Sequence, residues 1–264
     1  MTLENTQPNE RREAKRDNAL EFPREYFEVQ VAFALQWARL SGENVKDTLK
    51  QKTALVRRIG TDSWEQGMAA VNDETLLSRL TDTLYTLYTD SPDSIVKNPE
   101  NTPREIFGTK YYSDTQTIKI HFLGQPRSSQ NVLAEGNLEN RRNSATRAVT
   151  EEYKKHPEAS IVVGGSWLYN LQSYRDSFPP RFTQQLKRLV PEGLATTTDV
   201  IGGMSFQGNS LWGQFVNHHR QVREDRYEEF MEAIIGAEST DELIDAFPLK
   251  PLHASCSPQD FLSI

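Results

Sequence analysis

Three stretches of this sequence place chemistry-bearing side chains close together. The first is Gly164-Gly165-Ser166-Trp167-Leu168-Tyr169-Asn170, directly after the apolar run Ile161-Val162-Val163. Two glycines permit positive φ or the close approach of another backbone. Ser166 and Asn170 are side chains that cap helices, and free N–H groups at a helix start can hold an anion or stabilise an oxyanion. The same string also suits an ordinary strand-to-helix turn with Trp167 and Tyr169 plugged into a core. The second stretch, Gly124 to Gly136, carries Arg127, Ser128 and Ser129, one cation and two hydroxyls. They can grip a phosphate or carboxylate through charge-assisted hydrogen bonds, or they belong to a solvated loop. The third, Met204 to Phe215, sets Phe206 and Trp212 beside Gln214. An apolar wall with neutral hydrogen-bonding groups fits a small-molecule pocket, and a seam in the core reads the same way.

Other constellations are missing. There is no phosphate loop of the Walker type, no G-x-S-x-G elbow and no H-E-x-x-H pair. His218 and His219 are adjacent, so on a helix they point about 100° apart and do not share a metal. Arg141, Arg142 and Arg147 are expected on an exposed helix face, paired with Glu139 and Glu151. Cys256 is the single cysteine, which excludes an internal disulfide and any multi-cysteine metal site. With no base beside it, it is a poor nucleophile candidate. No metal is expected.

Composition sets the frame for these residues. The 264 residues are 36% hydrophobic and 25% charged, a globular balance. The formal net charge of −7 argues against a nucleic-acid partner or an anionic membrane surface. No apolar run approaches the roughly 18–20 residues that span a bilayer, and residues 1–20 do not resemble a secretory signal. A cytoplasmic protein with a small-molecule substrate is the expectation; the oligomeric state is not written in the sequence.

The elements that must position the candidate residues follow from periodicity. Residues 1–20 read as a disordered tail. Residues 21–92 read as a helical subdomain. Phe27, Val31, Ala34, Leu35 and Ala38 form a stripe between Pro23 and the stop at Ser41-Gly42. A second helix is expected over 44–59, opened by Asn44, and a third over 73–88. Turn-forming proline pairs then interrupt the chain over 90–104. Ile106 to Tyr112 and Thr117 to Leu123 read as a hairpin. In its second strand Ile118, Ile120 and Phe122 alternate with Lys119 and His121, giving one buried and one wet face. Helices are expected over 138–156, over 170–189 with an interruption or restart at Pro179-Pro180, and over 222–235, with strands at 161–163 and 195–200. The α+β domain spans 103–247, and 248–264, rich in proline, reads as an irregular tail.

Hairpin, polar loop, helix, short strand, helix, strand: this order, from about Ile106 to Val216, resembles the carboxyl half of a GNAT-type N-acyltransferase. The Ser166-Trp167-Leu168 string is also similar to one in bacterial GNAT-like proteins. The resemblance implies a mixed GNAT-like sheet with flanking helices behind the helical subdomain. It implies an acyl-CoA cofactor, its pyrophosphate in the loop of Arg127, Ser128 and Ser129, and its pantetheine beside Asn170. Tyr174 or Tyr169 would protonate the departing thiolate, and Ser166 would stabilise the oxyanion. Trp167, Phe206, Trp212 and Gln214 would line the site of a small polar or amine substrate. The family's Q/R-x-x-G-x-G/A string does not occur between Leu123 and Tyr153. A second reading accounts for that absence: a non-catalytic accessory protein of the same fold that binds a metabolite or a partner.

Overall fold

A computed structural model describes residues 21–69, 77–90, 105–123, 131–188, 209–217 and 219–263. Its helices open with α1 (Arg24–Ser41), α2 (Val45–Lys52), α3 (Leu55–Ile59), α4 (Thr61–Met68) and α5 (Leu77–Asp90). Then come β1 (Phe107–Tyr112), β2 (Thr117–Phe122), α6 (Leu138–Lys155), β3 (Ile161–Ser166), α7 (Gln172–Arg175), α8 (Pro180–Thr183) and β4 (Lys187–Arg188). After α9 (Asn209–Trp212), α10 (Glu224–Gly236) and α11 (Thr240–Asp245), the described chain closes with β5 (Leu252–Cys256) and α12 (Pro258–Leu262). The protein is thus mixed α+β. It divides into a helical unit, Met1–Lys97 with Phe215–Leu243, and a sheet unit, Asn98–Gln214 with Ile244–Ile264. No helix among the described residues is long and apolar enough to cross a membrane.

In the helical unit α1 is buried on most of its circumference, with Phe27, Val31, Phe33, Ala34 and Trp37 inside. It stops as expected at Gly42, whose φ of 75° is costly for any residue with a Cβ and whose N–H reaches the Ala38 carbonyl. Asn44 caps α2 by accepting from the Lys46 N–H at 2.9 Å. The single helix expected over 44–59 is instead broken at Thr53-Ala54. Gln30, fully buried on α1, accepts the Ala54 N–H at 2.8 Å and donates to the Tyr26 carbonyl at 2.8 Å. A donor that a helix break would orphan is thereby satisfied from a distant element. Leu80, Leu84 and Tyr88 turn inward from α5, while Phe230 of α10 lies 6.3 Å from Phe33. Phe22 sits between the guanidiniums of Arg58 and Arg220, each 4.1 Å from its ring centre.

The sheet unit is built on an open mixed sheet of order β1-β2-β3-β5-β4. β1 and β2 form the expected hairpin, its turn closed by Gln116 at φ 47°. α6 then returns the chain to place β3 parallel to β2, and β5 runs antiparallel between β3 and β4. Ile118, Ile120, Val162, Gly164 and Ala254 are buried on the face that meets α6, as the alternation in β2 predicts. The Ser144 hydroxyl of α6 accepts the Phe107 N–H at 3.1 Å, tying helix to sheet.

Two expectations fail here for local reasons. The region 170–189 restarts at Pro179-Pro180 as expected, giving α7 and α8, but its end is not helical, because Lys187 and Arg188 pair with β5 as β4. The region 248–264 is not irregular, since it supplies β5 in the sheet interior and α12. Its prolines bound these elements: Pro258 occupies the first turn of α12, where Ser257 accepts the Asp260 N–H at 3.0 Å. The expected strand at 195–200 and the tail 1–20 lie outside the described residues.

Candidate functional site

The Gly-Gly string lies inside β3 rather than after it. Gly164 pairs with Ala254, and the Tyr169 hydroxyl rests where a Cβ on Gly164 would stand. Phe182 and Ile120 press on the same position at 3.2 and 3.3 Å, so the glycine is required by close approach. Ser166 ends the strand and caps the single 3₁₀ turn Trp167–Asn170 by accepting the Leu168 N–H at 3.1 Å. Asn170 does not cap a helix. Its amide donates to the carbonyls of Trp167 at 2.6 Å and Lys250 at 2.7 Å, stitching the turn to the segment before β5.

Tyr169 and Tyr174 come together with ring centres 5.1 Å apart, inside a cluster with Phe107, Phe122, Phe178 and Phe182. Both are buried, and desolvation pushes both hydroxyls well above the usual tyrosine range. Trp167 is buried on the same turn. Trp212 and Gln214 are brought together elsewhere in this unit. Trp212 packs on Phe247 at 5.2 Å, and Gln214 donates to the Leu211 carbonyl at 3.0 Å while accepting the Leu249 N–H at 2.9 Å. Phe206, Arg127, Ser128 and Ser129 lie outside the described residues.

The three arginines expected on one exposed face have separate fates. Arg147 pairs with Glu105, and Arg142 donates to the Asp176 carbonyl at 2.8 Å. Arg141 is buried instead. Its guanidinium donates to Ser177 Oγ at 2.8 Å, to the carbonyls of Val132 and Ala134 at 2.6 and 2.8 Å, and to the Ser173 carbonyl at 2.9 Å. Five fixed N–H donors make arginine suited to knitting several carbonyls at once. Here it locks the approach to α6 and the segment after α7 onto the helix.

That anchored segment forms one wall of an open cleft of about 780 Å³. Arg142, Thr146, Arg175, Asp176, Arg181 and Gln184 are among its lining. The lining thus holds three arginines and one carboxylate residue, Asp176, whose Oδ1 accepts from Gln172 at 2.6 Å. Arg175 is steadied by Gln172 Oε1 at 2.6 Å and Arg181 by Asp260. Each keeps guanidinium N–H groups beyond those bonds, the donor set that planar oxyanions match. The interruption at Pro179-Pro180 is legible in the sequence; that it folds the chain back and brings Arg175 and Arg181 to Arg142 is not.

β2 and β3 pair only from Thr117 to Lys119 and from Ile161 to Val163. Beyond these residues β3 continues against β5 but no longer against β2. Cys256 is half-buried, and burial together with the Asp260 charge pushes its thiol up to about 12. Among the described residues no three His, Cys, Asp or Glu side chains gather as a metal site would require. No family model, no curated protein and no solved structure matches this chain.

Proposed function

We propose that this chain binds an anionic metabolite of the acyl-CoA type in the cleft lined by Arg142, Arg175 and Arg181. The observation that carries the reading is the convergence of those three guanidiniums on a cavity sized for a small ligand. Phosphate groups take the guanidinium forks, and Arg141 holds the wall that presents them. The choice of acyl-CoA rests on the GNAT-like order of hairpin, helix and parallel strand, an argument from fold alone. Binding is favoured over transfer because the Tyr169 and Tyr174 hydroxyls are sealed in an aromatic core. The GNAT-like acyltransferase acting on a small polar or amine substrate is the second reading. The parting of β2 from β3 favours it, since an extended thioester fits between two diverging parallel strands.

Calorimetric titration with coenzyme A, acetyl-CoA and pantetheine tests both readings. Saturable heat is expected with the two phosphorylated ligands and none with pantetheine. Arg175→Ala with Arg181→Ala should weaken coenzyme A at least tenfold. No heat from coenzyme A in the folded protein overturns the reading. Release of free thiol from acetyl-CoA with an amine panel, abolished by Tyr174→Phe, would favour transfer instead.

A further inference from the structure

One residue in the lining of the guanidinium cleft has the wrong sign for a simple anion site. Asp176 sets a carboxylate among Arg142, Arg175 and Arg181, yet among the described residues it forms an ion pair with none of them. Burial lowers the proton affinity of the neighbouring Arg141, whereas the Asp176 charge raises it. Asp176 Oδ1 accepts from Gln172, and among the described residues Oδ2 accepts no hydrogen bond. A carboxylate oxygen with room to accept, in a cleft of cations, calls for a donor on the same ligand that brings the anion.

Gln172 sets the spacing. Its Nε2 donates to Asp176 Oδ1 at 2.6 Å, and its Oε1 accepts from Arg175 Nη2 at 2.6 Å. A single carboxamide edge, acceptor beside donor, therefore bridges Arg175 and Asp176. Adenine presents the same order, the N7 acceptor beside the N6 amine. Guanine does not match as well. Its N7 and O6 are two acceptors, and its opposite edge brings two donors to a carboxylate with one oxygen already engaged. Pro179 and Pro180, also in the lining, give a flat ring apolar surface to lie on.

We infer that the cleft takes the adenine ring of an adenine nucleotide between Arg175 and Asp176, with the phosphates on Arg142 and Arg181. An N–H of Arg175 donates to N7, and Asp176 Oδ2 accepts from the N6 amine. Arg142 and Arg181 keep guanidinium N–H groups beyond their bonds to the Asp176 carbonyl and to Asp260. The inference rests on the anion-binding reading of this cleft and deepens it. Acyl-CoA becomes one adenine nucleotide among those that fit, and Asp176 sets the choice of base.

Calorimetric titration of the full chain compares ADP with the diphosphates of purine riboside, which lacks the amine, and of 7-deazaadenosine, which lacks N7. GDP and pyrophosphate complete the set. Losing one hydrogen bond to a charged group should weaken either analogue about tenfold or more against ADP, and GDP and pyrophosphate should also bind more weakly than ADP. Asp176→Ala should bring ADP and the purine riboside ligand within about threefold of each other while keeping the 7-deaza penalty, and Arg175→Ala should do the reverse. A merely structural role would weaken all the ligands together. Equal affinity for ADP and both analogues overturns the inference. So does GDP or pyrophosphate binding as tightly as ADP, an amine preference that survives Asp176→Ala, or no heat from ADP in the folded protein. Coenzyme A bound without these penalties leaves the acyl-CoA reading standing and sinks this one. ADP bound with them, and no heat from coenzyme A, does the opposite.

Discussion

Replacing Arg141 by methionine keeps the length of the side chain and deletes its four hydrogen bonds to Ser177, Val132, Ala134 and Ser173. Hydrogen bonds from a charged donor are each worth about 1.5–3 kcal/mol, so the gross loss is roughly 6 kcal/mol or more. Against that, burying a cation costs several kcal/mol, and methionine removes that penalty. The expected net destabilisation of the sheet unit is about 2–4 kcal/mol, since the abandoned carbonyls recover only part of their partners. With a urea m-value of about 2 kcal/mol/M, the midpoint should fall by roughly 1–2 M. Tryptophan fluorescence reads both units, because Trp167 and Trp212 lie in the sheet unit and Trp37 and Trp64 in the helical unit. Single-tryptophan variants carrying only Trp167 should show the shift. Arg141→Lys should recover little of the loss, because an ammonium cannot reproduce the fork. A Trp167-reported midpoint within 0.3 M, taken as roughly the scatter of such fits, would refute the account of Arg141 as the clasp of this unit.

Two further predictions concern the core and the thiol. Gly164→Ala should cost roughly 1–3 kcal/mol by overpacking against the Tyr169 hydroxyl, and adding Tyr169→Phe should recover part of it in the same urea assay. Failure of the second change to help would show that Ile120 and Phe182 set the limit instead. Cys256, with its thiol raised from 9.0 to about 12, should hold roughly a thousandth of the thiolate of an ordinary cysteine near neutral pH. Iodoacetamide at pH 8 should therefore modify the native chain far more slowly than the urea-unfolded chain, the native rate climbing as pH rises toward 12. Equal rates in the two states would contradict that environment.

Much of the fold was legible where the signal is local. The alternation Ile118-Lys119-Ile120-His121 has period two, and the stripe of α1 has steps of three and four. Gly42 and Asn44 mark helix ends through their own backbone and side chain. What was not legible depends on distant partners. The break at Thr53-Ala54 is stable because Gln30 on another helix takes the freed N–H. β5 escaped notice because its fully buried inward residue is the small Ala254, sized to face Gly164, and offers little hydrophobic pattern. The candidate site divides in the same way. Close approach at Gly164 was one of the meanings open to the Gly-Gly pair, and the core seam was one of those open to Trp167 and Tyr169. The burial of Arg141 left no trace in spacing, because its acceptors include three backbone carbonyls, which every residue type carries.

The central place of β5 has a consequence for how this protein comes off the ribosome. Its partner β3 is synthesised long before it, and at about 5–20 residues per second β3 waits on the order of ten seconds for that neighbour. Throughout that interval β3 lacks the strand that later covers Gly164 to Ser166, an exposed edge of the sort that pairs with the wrong chain. Between the two strands the chain also delivers Phe215–Leu243 to the helical unit. The nascent chain thus finishes its first unit before it can finish its second, and slowing elongation over residues 215–250 should lengthen the period in which β3 needs a chaperone.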